Sequence, residues 1–307
     1  MGAHGDALPQ ALHASTPAAA KMVAEGTTIP YWPIIHPTQY DVRGINHSSN
    51  ASFVSVQSSI GAKGDWYALS NSALVYPAFG FHLMFHSQTA AFRSLVDVGI
   101  SAIGGTIAIP AAAVTPIVSN LHYSNAGRLP ASLLFPIPLD PGQRLWLRAQ
   151  STSAQVLSGA INLFNAPWSG LPQHGIVSAY GHSLGNAAGT AVDAGATAGI
   201  PGAWSQLTSR TEYDIYWLVI TVGLRSNTAM TTGFYALDIG VGPVGAERIV
   251  IRGLPLTAES SADFVAPAGF GALPVFIPRG SRVVARITSS ITDATDRVLE
   301  VVVHGIS

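Results

Sequence analysis

Gly181-His182-Ser183-Leu184-Gly185 matches the pattern G-x-S-x-G. In that pattern small residues flank a serine held on a tight strand-to-helix turn, so that its hydroxyl can attack a carbonyl. Asp238 and then His304 follow in the order such a site uses. Acyl transfer by Ser183, with His304 as base and Asp238 as its orienting acid, is therefore one reading. The neighbourhood opposes it. The stretch NAAGTAVDAG (186–195) reads as loop or strand where the chemistry requires a helix. The alternation of strands with helices of ten or more residues that a hydrolase sheet needs is also missing. In this Gly- and Ser-rich chain the motif reads better as a structural turn.

Other chemistries find less support. His82 and His86 would share one face of a strand, but Phe81, Leu83 and Phe85 surround them and no third ligand is spaced to complete a metal site. Acidic residues are few and dispersed, which does not suit a glycoside-hydrolysing pair. Trp66, Trp146, Trp204 and Trp217 could stack on sugars, although anchoring a core is the simpler role for Trp66 and Trp204. With no cysteine, disulfides and thiolate metal sites are excluded. A formal charge of −1 gives no footprint for nucleic acid. No cofactor is implied.

The elements that must position these residues are short strands. The chain is 48% apolar and only 10% charged, with 31 Gly and 20 Pro, a composition that disfavours long helices. No apolar run is long enough to span a membrane as a helix, and the opening MGAHGD does not read as a signal peptide. Three motifs then recur in the same order. GAKGDWYALS (61–70) matches GIPGAWSQLT (199–208) at an offset of 138, LVDVGI (95–100) matches ALDIGV (236–241) at 141, and 136–148 matches 274–286 at 138 again. The chain is thus expected to be all-β, with two tandem duplicated β-sandwich domains, either of jelly-roll type or immunoglobulin-like, since both show this pattern of strands. The divisions are an arm at 1–43, a first sandwich at 44–165, a linker at 166–182 and a second sandwich at 183–307. The elbow around Ser183 has no counterpart in the first copy, where Gly44 and Ile45 stand opposite His182 and Ser183.

The duplicated residues read as architecture. Gly142 and Gly280 mark turns. Arg144 and Arg148, like Arg282 and Arg286, lie four apart on a strand and so share a face, with Leu145 and Leu147, or Val283 and Ala285, on the other. These arginines either meet carboxylates or carbonyls across an interface or stand on a solvated face. Asp97 and Asp238 are expected to cap a loop through backbone N–H groups. In the arm, 18–24 could form a turn or two of helix. Tyr31, Trp32 and Pro33, within PYWPIIHP (30–37), make a stiff aromatic strap that either docks on its own domain or grips a neighbouring subunit. Trp168 in the linker is expected to pack between domains.

The second copy's GAW (202–204), ALDIGVG (236–242) and PVFIPRGSRVVAR (274–286) resemble structural proteins of tailed-bacteriophage virions. The resemblance covers roughly 44–306. It implies a non-enzymatic particle component of the capsid surface, neck, tail or fibre, located in the virion. Its partners would be copies of itself and other virion proteins. A carbohydrate-binding module, recognising a host-surface glycan, is a further alternative beside the serine hydrolase; neither nucleic acid nor membrane insertion is expected.

Overall fold

The structure, a computed structural model, describes residues 41–164 and 175–307 except for short connecting stretches (44, 47–51, 58, 70–72, 75–76, 88–92, 103–107, 110–112, 125–130, 154–155, 225–231, 260–263 and 293–297). The strap residues Tyr31, Trp32 and Pro33, the stretch 18–24 and Trp168 lie outside the described residues.

The first half contains β1 (Asp41–Arg43), β2 (Ile45–Asn46), β3 (Ser52–Gln57), β4 (Ser59–Ile60), β5 (Trp66–Ala68), β6 (Gly80–Ser87), β7 (Arg93–Ser101), β8 (Ala108–Ile109), β9 (Thr115–Ser124), β10 (Ala131–Phe135), β11 (Arg144–Ser151) and β12 (Val156–Phe164). The second contains β13 (Val177–Tyr180), β14 (Thr190–Asp193), β15 (Ser205–Thr208), β16 (Ile215–Leu224), β17 (Gly233–Val241), β18 (Arg248–Glu259), β19 (Phe264–Ala266), β20 (Gly269–Ile277), β21 (Val283–Ser289) and β22 (Val298–Ile306).

Each half is a sandwich of two sheets. In the first, β10-β6-β12-β3-β2 faces β8-β5-β11-β7-β9; in the second, β13-β22-β16-β20 faces β15-β21-β17-β18-β19. From β14 onward the chain passes back and forth between the sheets, except that β17, β18 and β19 follow one another as antiparallel neighbours within one sheet. That path, repeated by β3 to β12, is the jelly roll. Even the edges repeat. β1 and β3 pair with successive halves of β12, as β13 and β14 do with β22.

Side-chain alternation explains the layers. On β21, Val283, Ala285 and Ile287 point into the second core, beside Leu237 and Ile239 of β17 and Leu299, Val301 and Val303 of β22. On β11, Leu145, Leu147 and Ala149 point into the first core with Val96, Val98, Phe81, Leu83 and Ile161. The residues between them, Arg144, Trp146, Arg148 and Gln150, therefore stand on the outer face. The apolar cluster of the first sandwich also takes in Val219, Ala268 and Ile306 from the second. The two sandwiches thus share a seam, in which β13, β22, β16 and β20 of the second pack along β9 and β10, the edge strands of the first sandwich's two sheets, and reach the outer face beside β9.

Candidate functional site

The duplicated residues gather into one cluster on the outer face of each β11-type sheet. In the first sandwich Arg148 Nε donates to Asp97 Oδ2 at 2.8 Å, and its guanidinium lies 4.4 Å over the Trp66 ring. In the second, Arg286 Nε donates to Asp238 Oδ2 at 3.0 Å and lies 4.4 Å over Trp204. The indole needs room on the sheet. A Cβ on Gly240 would fall 2.9 Å from the Trp204 ring, and Gly99 is likewise roofed by Trp66. The other carboxylate oxygen accepts a 2.8 Å bond from the backbone N–H of Asn120 in one copy and of Gly253 in the other. Both residues have positive φ, 61° and 65°, and sit where the register of β9 or β18 slips against its neighbour. A bulge therefore aims an N–H at each aspartate.

This arrangement corrects two sequence expectations. Arg148 and Arg286 meet carboxylates on the adjacent strand of their own sheet, neither across a subunit interface nor in solvent. Arg282 also bonds within its sandwich, to Gln206 Oε1, the Gly242 carbonyl and Glu247, and Arg144 is buried over Trp146. Trp66 lies outside the main core, in a separate cluster with Ala68, Val114 and Trp146. Trp66 and Trp146 are fully buried and offer no platform to a sugar.

The two clusters differ in what covers them. Copy one adds Lys63, whose Nζ donates to Asp97 Oδ1 at 2.6 Å, in the place held by Pro201 in copy two. Burial holds the Lys63 amine below its ordinary pKa, with the Asp97 charge opposing the shift. The second sandwich closes over this region. Arg93 Nη1 meets the buried Glu300 at 3.0 Å, and His122 Nε2 lies 3.1 Å from the other oxygen of that carboxylate. Ser124 Oγ donates to the Leu224 carbonyl at 2.8 Å, and His304 Nε2 donates to the Ser119 carbonyl at 3.2 Å. Gly223 permits the approach, because a Cβ there would come 2.7 Å from both His122 and Ser124. Burial takes His304 down to about 4, and lowers His182 as well, with the Lys63 charge adding to the effect on His182.

The elbow lies at the mouth of this seam. Ser183 is extended, with φ −127° and ψ 111°, and is followed by a single 3-10 turn, Leu184–Asn186. Ser183 and Ala188 exchange backbone bonds of 2.8 and 3.2 Å, closing a small loop. The helix that would hold a nucleophile is absent from this place. Asp238 is occupied by Arg286 and Gly253, and His304 is buried against Ser119, so the candidate triad is not assembled. The loop instead clamps the first sandwich, where Gln150 donates to the Leu184 carbonyl. Beside it a cleft of about 190 Å³ is lined by Arg93, Gln150, Thr152, Gly185 and Asn186, among others. His82 bonds Ser132 at 2.6 Å, and the side chain of His86 lies outside the described residues. Among the described residues no group of three or more metal-ligating side chains forms.

Arg93, His122 and Glu300 carry no sequence motif, and Lys63 and His182, though they lie within quoted motifs, were given no role there. A signal was available. Glu300, Val302 and His304 alternate with core residues in β22, so two polar groups occupy the outer face of a strand otherwise fit for burial on both sides.

No family matches the chain, and no curated protein does. Among solved structures it is similar to PNGF-II, at 8% identity and TM-score 0.34, covering 87% of this chain and 65% of that one. It is also similar to PNGase F, a glycosylasparaginase from Flavobacterium meningosepticum, at 8% identity and TM-score 0.34 over 86% of this chain and 93% of that one. A third is the CBM22-1–CBM22-2 tandem domain of Paenibacillus barcinonensis Xyn10C, at 10% identity and TM-score 0.25 over 88% and 91%. The chain thus spans just under two thirds of PNGF-II.

Proposed function

We propose that this chain is a non-enzymatic structural component of a bacteriophage particle, at the capsid surface, neck, tail or fibre, and that it works through protein–protein contacts. The observation that carries the reading is the use made of its reactive side chains. Each member of the candidate triad serves architecture: Asp238 ties β17 to β21 and the β18 bulge, His304 fills the seam, and Ser183 closes the clamping loop. Charge is sparse, at 10% of residues and a net −1, which leaves surfaces with little repulsion and suits repeated packing in an assembly. Copies of itself and other virion proteins are the partners this favours.

A fluorophosphonate probe tests the choice between chemistry and architecture. The folded chain is expected to remain unlabelled, and labelling that disappears in Ser183→Ala would overturn the proposal. Incorporation into particles of a chain lacking residues 1–40 tests the strap. Loss of incorporation with the fold retained is expected, and unchanged incorporation would remove the arm from the account.

A further inference from the structure

Among the described residues both fully buried histidines lie in the seam, one from each sandwich. His122 stands on β9 and His304 on β22. A third ring, His182, reaches in from the loop that follows β13. The Nδ1 atom of each is buried and has no hydrogen-bond partner among the described residues. A neutral imidazole can leave that nitrogen as a bare acceptor, whereas an imidazolium carries N–H on both nitrogens and needs two acceptors. His304 has one, the Ser119 carbonyl at 3.2 Å. The carbonyls of Asn120 and Val219 also face the ring without closing a bond to Nδ1.

The charges around these rings are no more welcoming. His182 meets Lys63 and Asp97 of the first sandwich and His304 of its own. Asp97 is already engaged by Lys63 and Arg148. His122 meets Glu300, which Arg93 also holds. Around His304 stand His182, the Phe135 ring of β10 and the carbonyls of β9 and β16, with no carboxylate among its described partners. Each carboxylate of the joint is thus shared by two basic groups. A proton on His182 or His304 brings a cation that has no anion of its own.

From this crowding of basic groups we infer that the seam is an acid-releasable latch, in which protonation of His182 and His304 parts the two sandwiches while each keeps its fold. The joint yields before the sandwiches do because the rings sit between them, outside the apolar clusters that hold each pair of sheets together. Val219, Ala268 and Ile306 pull the other way, since parting uncovers them, and they hold the latch closed near neutral pH. Burial takes His304 from 6.5 to about 4. The proton is therefore bound more tightly in the parted form, which acid favours by about 30-fold at pH 5, approaching about 300-fold below pH 4. His182, lowered by burial and by the Lys63 charge, adds to this in the same direction. Above the ordinary value of 6.5 both rings are neutral in either form, and the bias vanishes.

Small-angle X-ray scattering on the full chain from about pH 7.5 to about pH 4.5, with circular dichroism at each step, tests this. The radius of gyration is expected to rise reversibly below about pH 5.5, with the strand signal unchanged. His304→Asn combined with His182→Gln should lower that midpoint by about one pH unit or abolish the rise. Because the chain has no cysteine, nitroxide labels on Ile60→Cys and Val244→Cys, exposed positions on the first and second sandwich, report a distance in a chain that keeps both histidines. That distance should lengthen and broaden over the same pH range. A radius and a label distance that both stay constant down to the acid limit would overturn the latch. So would expansion accompanied by loss of the strand signal, because the sandwiches would then be unfolding rather than parting. An unchanged transition in the folded double variant would overturn it as well, by placing the titration elsewhere.

Discussion

His304 shows what a single exchange in a duplicated strand can do. Its counterpart Asn162 is half-exposed, whereas His304 is buried in the seam with its ring 6.4 Å from Phe135 and its Nε2 on the Ser119 carbonyl. His182 approaches from the clamping loop and disfavours its protonation further. Burial keeps the folded imidazole neutral down to about 4, against an ordinary value of 6.5. Below 6.5 the unfolded chain takes up a proton that the folded chain refuses, so stability present above that pH falls with acidification until the folded group titrates near 4. The amount is on the order of 3 kcal/mol. Melting temperature measured from neutral to acid pH should therefore fall more steeply for the native chain than for His304→Asn. Superimposable profiles would assign the acid sensitivity elsewhere.

The strands and turns show how far the sequence could be read. The all-β class, the tandem copies and the sharing of faces by Arg144 with Arg148 follow from period-2 alternation and repeated motifs, which are local. The elbow's missing helix was equally local, since 186–195 could not form one. What the repeated aspartates do was only half legible. A bond to backbone N–H was foreseeable for Asp97 and Asp238, but its donors, Asn120 and Gly253, come from bulges on β9 and β18 that no motif marks. The seam was invisible to the repeat because its residues, such as His304, Arg93 and His122, differ in type from their counterparts Asn162, Phe234 and Pro255. These clusters separate experimentally. Asp97 neutralises both Lys63 and Arg148 at 1% exposure, whereas among the described residues Asp238 pairs with one cation, Arg286, and that side chain is 24% exposed. Removing Asp97 leaves two like charges covered, and Asp97→Ala should cost about 3–5 kcal/mol in urea denaturation. Asp238→Ala, whose arginine can turn to water, should cost about 1–2 kcal/mol. Equal losses would mean that Lys63 adds nothing to the first cluster.

At the scale of the whole molecule, the seam decides whether two jelly rolls behave as one body. A tandem repeat joined by a linker would ordinarily unfold in two steps, each sandwich on its own core. Here Val219, Ala268 and Ile306 complete the first sandwich's apolar cluster, and Glu300 depends on Arg93 and His122 across the boundary. Unfolding either sandwich would expose apolar surface of the other and strip a buried charge of its partners, so the native chain should melt in one calorimetric transition. Glu300→Ala leaves Arg93 and His122 facing a void and should divide that transition in two, lowering the less stable sandwich by roughly 2–4 kcal/mol. Replacing the cluster as a unit, with Arg93→Met, His122→Leu and Glu300→Leu, removes the charges together and should restore a single transition, because apolar packing can take the place of a buried ion pair. If Glu300→Ala still melts in one step, with calorimetric and van't Hoff enthalpies equal, the apolar contacts alone couple the sandwiches. The buried charges would then serve to select which surface meets which.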